Sequence, residues 1–244
     1  MLDRFFNKKG SRRALPANEV ICAVGDIHGR LDLLDQLLAK IQASTQALTP
    51  RMVFLGDYVD RGPDTKGVLD RLIELGGADP RHKFLRGNHE AALLDFLDHP
   101  DDMTDWLEWG GEETLISYGV SLSPIKSPAD LAEDLRDAMP DTHAAFLRAL
   151  ETKFLCGEFL FVHAGIRPGV PLEEQNEKDL LWIRKSFHNA PAKNHPPYTV
   201  VHGHQPVKTP QDLGWRINVD SGAVWSDKLS SVLINGADRR FITT

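Results

Sequence analysis

Short apolar runs that end in charged, glycine-bearing loops set the rhythm of this chain. Val20-Ile21-Cys22-Ala23-Val24, Met52-Val53-Phe54-Leu55 and Lys83-Phe84-Leu85 are too short for helices and read as buried strands. Leu31, Leu33, Leu34, Leu37, Leu38 and Ile41 recur at helical spacing before Thr49-Pro50, which predicts a helix of about three turns. Pro63-Asp64 opens a second helix, with Val68, Leu69, Leu72, Ile73 and Leu75 on its inner face and Gly76-Gly77 as its predicted close. The order β-α-β-α-β predicts an α/β fold with a parallel sheet and right-handed crossovers.

Residues 90–150 are mostly helical in pattern, cut by Gly110-Gly111, Pro124, Pro128 and Pro140 into short pieces. They read as a helical, cap-like insertion (residues 91–150) that walls a cleft. Phe159-Leu160-Phe161-Val162 returns to strand character and ends at His163-Ala164-Gly165, and Tyr198-Thr199-Val200-Val201 ends at His202-Gly203-His204-Gln205. Residues 215–218 and 230–234 are predicted closing strands with a turn at Ser221-Gly222 between them. A single domain over residues 19–244 follows, preceded by a flexible basic arm, residues 1–18, that carries Arg4, Lys8, Lys9, Arg12 and Arg13.

Composition narrows the class without naming the chemistry. Hydrophobic residues at 41% and charged residues at 26% are those of a soluble globular protein. A net charge of -7 argues against a general nucleic-acid or anionic-membrane partner. The arm has only Phe5-Phe6 as an apolar patch, so no signal-peptide core is read there, and nowhere do ~18 apolar residues run together. Cys22 and Cys156 sit in apolar stretches without metal-ligand spacing, and the expected compartment is the reducing cytoplasm.

The chemistry lies in the loops. Five strand ends carry Asp26, His28, Asp57, Asn88, His163 and His204, each loop with a glycine beside its polar residue. Charged loops at the carboxyl ends of buried strands are where open α/β sheets place ligands. Carboxylate, imidazole and amide oxygen form a donor set suited to manganese, iron or zinc, and six donors are too many for one tetrahedral ion. Two divalent ions about 4 Å apart that share a carboxylate fit better, an arrangement suited to in-line displacement at phosphorus. His202 is a second histidine in the last loop, and residue chemistry alone leaves it open beside His204.

The blocks Gly-Asp-Ile-His-Gly (25–29), Gly-Asp-Tyr-Val-Asp-Arg-Gly (56–62), Arg-Gly-Asn-His-Glu (86–90), His-Ala-Gly (163–165) and Gly-His-Gln (203–205) resemble, in order and spacing, the phosphoprotein phosphatases of the calcineurin-like metallophosphoesterase superfamily. The short bacterial serine/threonine phosphatase branch is the nearest in pattern, over residues 20–235. The resemblance implies two packed mixed sheets flanked by helices. It implies one metal on Asp26 and His28, the other on Asn88, His163 and His204, and Asp57 bridging them, with manganese the expected ion. It implies His89 as the general acid with Asp60 orienting it, and Arg61 and Arg184 as phosphate ligands. A carboxylate beside His89 suits that role, since it raises the imidazole pKa.

The expected function is hydrolysis of phosphomonoesters by a hydroxide between two metals, without a phosphoenzyme. By resemblance the substrate is protein phosphoserine or phosphothreonine. Symmetrical cleavage of diadenosine tetraphosphate, or another small nucleotide phosphate, is the alternative, and a catalytically silent metal- or phosphoprotein-binding domain the remote one. Arg86 and Arg167 are open between substrate contact and structure. Asp32, Asp64 and His82 read as helix-start and surface charges, and Trp106, Trp109 and His143 as core of the insertion. Asp220 and Ser221 carry no assigned role.

Overall fold

The computed structural model describes residues 13–45 and 48–244. Its strands are β1 (Val20–Val24), β2 (Arg51–Phe54), β3 (Lys83–Phe84), β4 (Lys153–Cys156), β5 (Phe159–Val162), β6 (Thr199–His202), β7 (Gln211–Asp212), β8 (Arg216–Asn218), β9 (Ser230–Asn235) and β10 (Asp238–Thr243). Helices α1 (Leu31–Ser44), α2 (Thr65–Ala78), α3 (Asn88–Asp98), α4 (Glu112–Ser117), α5 (Pro128–Ala138), α6 (Asp141–Arg148), α7 (Glu177–Trp182), α8 (Lys185–His188) and α9 (Ala223–Ser226) connect them.

Two mixed five-stranded sheets result, ordered β10-β9-β1-β2-β3 and β4-β5-β6-β8-β7. The predicted parallel unit is present: β1 pairs with β2, and β2 with β3, in parallel. The closing strands divide between the sheets, β9 running antiparallel to β1 and β8 parallel to β6.

Period-2 alternation builds the layers. On β1, Ile21 and Ala23 face inward with Val53, Leu55, Phe159, Phe161, Val201 and Ile217 to form the core between the sheets. Cys22 and Val24 face outward onto α1 and α2, in a cluster with Leu34, Leu37, Val68, Leu69 and Leu72. Leu160, Val162 and Val200 turn the other face of the second sheet toward Leu180, Ile183 and Phe187. The fold is therefore an α/β sandwich with helices outside both sheets.

Several elements depart from the sequence reading. Helix α2 continues through Gly76 and Gly77 to Ala78. A Cβ at Gly76 would press on the Phe84 ring, so the glycine there serves helix–strand contact and not termination. The insertion packs mainly on the outer face of the first sheet, with Phe96, Trp106, Leu131 and Leu147 in the same cluster as α1 and α2. Strands β4, β7 and β10 lack a clear apolar alternation; β10 is an edge strand that begins Asp238-Arg239-Arg240, and charge on an edge protects it against pairing with other chains. Of the expected flexible arm, residues 1–12 lie outside the described residues. Leu15 is buried, its N–H donates to Gly236 O, and Arg13 donates to Pro196 O and Tyr198 O. Packing thus begins ahead of β1.

Candidate active site

Strands β1, β2 and β3 of one sheet and β5, β6 and β8 of the other end at a common edge of the sandwich. The loops that follow them enclose a cavity of about 210 Å³ lined by Asp26, His28, Asp57, Arg61, Asn88, His89, Arg184, His204 and Asp220, among others. His163 is fully buried beneath it. Every residue expected at the site is thereby brought to one place, except Asp60, which lies behind His89. Among the described residues, six non-glycine positions have positive φ, and five of them are His28, Asp57, Asp60, Arg61 and His204. Such backbone is costly for side chains with a Cβ, and it concentrates where function requires a particular aim. Close approach adds a second constraint: a Cβ at Gly87 would run into the Asp57 carboxylate, and one at Gly203 into that of Asp26.

The ring orientations fix which nitrogens face the cavity. His28 Nδ1 donates to Val59 O at 2.8 Å, which leaves Nε2 3.5 Å from Asp57 Oδ2. His163 Nδ1 donates to Leu55 O at 3.0 Å. Its Nε2 lone pair then faces Asn88 Oδ1 at 2.9 Å and Asp57 Oδ1 at 3.4 Å, both oxygens that accept and do not donate. His204 Nδ1 completes this group at 3.1 Å from His163 Nε2. Among His163 Nε2, Asn88 Oδ1 and Asp57 Oδ1 acceptors converge on acceptors, and a cation is what such a group suits.

The electrostatics agree with that test. Burial lowers the pKa of His28 to about 3 and of His204 to about 2, and lowers that of His163, so all three are neutral and able to ligate. Burial raises Asp26 well above the usual carboxylate range, with the charges of Asp220 and Asp57 adding to it. Asp220 is pushed up to about 6, again first by burial. Burial also opposes the charge of Asp57, yet this carboxyl lies below its ordinary value, because a proton on any of the surrounding His163, His89, His28 and His204 rings would favour its charged form. Three buried carboxylates and three neutral imidazoles around one cavity form a site that positive ions would stabilise.

His89 points Nδ1 at Asp60 Oδ2, 2.7 Å away. Burial alone would lower its pKa, yet Asp57 and Asp60 raise it. Asp60, fully buried, also accepts from Trp106 Nε1 at 2.9 Å and from Thr114 Oγ1 at 2.7 Å. Glu90 grips the backbone of the neighbouring loop, accepting from the N–H groups of Asp57, Tyr58, Val59 and Gly87 at 2.7 to 3.2 Å. Arg61 Nη1 donates to His28 Nε2 at 2.8 Å, and Arg184 Nε to His204 Nε2 at 3.0 Å.

The structure also places the residues that the sequence left open. Trp106 is core, but its indole N–H also reaches Asp60, and Trp109 is 37% exposed at the cleft, edge-on to Trp182 with centroids 5.6 Å apart. His202 turns away from the cluster: it lies against Phe187 and His188, with Nδ1 bonded to Gly203 O. Arg86 pairs with Glu177, and Arg167 with Asp179, both outside the cavity lining. Asp220, Glu90 and Trp225 were without a role in the sequence. Asp220 follows β8 as the other site loops follow their strands, and that position was the available signal.

The family model for calcineurin-like phosphoesterases matches residues 20–231. The chain belongs to that family. As a metallophosphoesterase it is a hydrolase of phosphoric esters whose histidine and aspartate groups can bind metal ions. Among curated relatives, the asymmetrical bis(5′-nucleosyl)-tetraphosphatase PrpE of Bacillus subtilis is 26% identical over 233 residues, covering 85% of this chain and 87% of the relative. The enzyme of that name from Oceanobacillus iheyensis is 26% identical over 227 residues, covering 85% and 86%. Among solved structures, a candidate diadenosine tetraphosphatase superposes with a TM-score of 0.67 at 23% identity, covering 94% of this chain and 95% of that one. A serine/threonine phosphatase of Saccharomyces cerevisiae gives 0.59 at 16%, covering 93% and 80%. Both structural likenesses are to the fold.

Proposed function

We propose that this metallophosphoesterase hydrolyses dinucleoside polyphosphates, with Asp26, His28, Asp57, Asn88, His163 and His204 as its metal ligands. Asp57 has one carboxylate oxygen toward His28 and the other toward His163, as a carboxylate shared by two ions requires. Bound divalent ions would supply Lewis acidity at phosphorus and an activated water. Manganese suits the mixed oxygen and nitrogen donors, as do iron and zinc.

The chain's own groups supply the rest. The observation that carries the reading is the pair of arginines, Arg61 against the His28 half of the cluster and Arg184 against the His204 half. Two guanidinium groups, one on each side, suit a phosphoryl group whose charge must be gripped in flight. They would turn from the imidazoles to the phosphate oxygens as substrate enters. His89, kept protonated by its two carboxylate neighbours, hands a proton to the departing oxygen. Asp60 aims the ring, and Trp106 and Thr114 aim Asp60.

The choice of a dinucleotide over a phosphoprotein rests on the relatives, whose names place cleavage asymmetrically within a nucleoside tetraphosphate. The serine/threonine reading keeps one observation in its favour, the acidic stretch Glu108, Glu112, Glu113 on the cleft wall, which would suit a basic phosphopeptide. Incubating the manganese-loaded protein with diadenosine tetraphosphate and, separately, with a phosphoserine peptide panel decides between them. AMP and ATP as products are expected; two ADP would indicate symmetrical cleavage, and turnover of phosphopeptides alone would overturn the dinucleotide assignment.

A further inference from the structure

A second cavity of about 520 Å³ opens beside the metal-facing one and shares Arg61 and Trp225 with it. Its walls include Trp109 and the glutamates Glu108, Glu112 and Glu113. Trp225 is 65% exposed and Trp109 37%, so two exposed indole rings line one cavity. Trp225 is presented from a firmly held turn. Gly222 and Asp227, both left-handed, bracket α9, and Arg30 ties this turn down through Ala223 O at 3.0 Å and Asp227 Oδ1 at 2.7 Å. Trp109 is likewise fixed, against Trp182. Arg61 joins the two cavities: its guanidinium lies 5.2 Å from the Trp225 ring centroid, and its Nε donates to Trp109 O at 3.2 Å.

We propose that this second cavity receives one nucleobase of the substrate, stacked on tryptophan, with its exocyclic amine donating to a glutamate carboxylate. The inference rests on the dinucleotide reading and deepens it. Three carboxylates against a single guanidinium repel a phosphate tail, so this cavity is wrong for the polyphosphate itself. A base is neutral, planar and rich in N–H donors, and base–tryptophan stacking is a strong, sequence-tolerant contact. Adenine carries an amino group where hypoxanthine carries a carbonyl oxygen, so the glutamates would favour the first and repel the second. Because the two cavities share Arg61 and Trp225, few phosphates fit between a base held here and the metal-facing cavity. Attack close to the bound nucleoside follows, with a monophosphate and a triphosphate as the products.

The test compares kcat/KM of the metal-loaded protein for diadenosine and diinosine tetraphosphates. The wild type is expected to favour the adenine substrate about tenfold. Glutamine substitution at Glu108, Glu112 and Glu113 in turn is expected to bring that ratio to parity or below it for at least one of them, since a carboxamide donates to the inosine carbonyl. Trp225→Ala is expected to raise KM for both dinucleotides about tenfold, and Trp225→Phe to restore most of the loss. Equal use of both dinucleotides by the wild type and all variants would overturn the base site while leaving the dinucleotide reading intact. No dinucleotide cleavage by protein that still hydrolyses para-nitrophenyl phosphate would overturn both. A preference for phosphoserine peptides with a neighbouring arginine, lost in the glutamine variants, would reassign the cavity to a cationic side chain.

Discussion

Asp60 shows how much of this site is orientation. Its carboxylate accepts from His89, Trp106 and Thr114, and its own N–H is held by Thr114 and Thr65, so neither the carboxylate nor the backbone beneath it is free to turn. Asp60→Asn would place an amide where two donors now converge and remove a charge that raises the His89 pKa. A general acid is active below its pKa and fails as pH rises through it. The variant is therefore expected to lose about 10²-fold or more in kcat, with the alkaline fall in rate displaced to lower pH; a pH–rate profile reads both. Trp106→Phe removes one of the three donors and keeps the packing, and about tenfold in kcat with unchanged KM is the expected cost. His89→Ala is expected to cost more as the leaving group becomes more basic, with phenyl phosphate hurt far more than para-nitrophenyl phosphate. Equal losses on the two esters would deny His89 the acid role.

Between elements, the coupling that matters most joins the loop after β2 to the first turn of α3. Glu90 holds four N–H groups from these two segments, and burial, then the charge of Asp57, push its pKa up to about 7. Glu90→Gln sets an amide donor against those N–H groups. A loss of about 1–3 kcal/mol in unfolding free energy is expected, together with weaker metal binding because Asp57 is no longer held. Urea unfolding and metal titration measure the two effects. The strand-to-loop alternation at Val20–Val24 and Arg51–Phe54, and the polar residues that follow, were open to a reader of the sequence because period and burial are local properties. Glu90, Trp106, Thr114 and Trp225 were not. Their roles depend on residues some 30 to 160 positions away, and a tryptophan that donates to a buried aspartate has the same local pattern as one that only fills space. The five left-handed site residues were equally hidden, since backbone strain at a non-glycine position leaves no compositional trace.

At the scale of the whole molecule, the sandwich is the device that brings six strand ends to one edge. Each sheet contributes three parallel strands, β1-β2-β3 from one and β5-β6-β8 from the other, so Asp26, His28, Asp57 and Asn88 come from one side of the inter-sheet core and His163 and His204 from the other. Phe161 lies fully buried in that core, and Phe161→Ala is expected to cost about 3–5 kcal/mol of stability. Because each sheet carries part of the ligand set, the same substitution should also weaken metal binding, unlike a comparable cavity made on the outer face at Leu72. Calorimetry with and without metal separates the two contributions. Among the described residues no helix is long and apolar enough to cross a membrane.

This edge is proposed to hold divalent metal and to use it to hydrolyse phosphoesters. The most direct measurement strips the protein of metal, verifies its fold by circular dichroism, and follows para-nitrophenyl phosphate hydrolysis as manganese, zinc, iron(II) or magnesium is added back. Negligible turnover is expected in the stripped protein, with recovery that saturates at two equivalents of metal and manganese the most effective ion. Folded protein that binds no metal, or whose hydrolysis is indifferent to metal added or removed, would contradict the proposal.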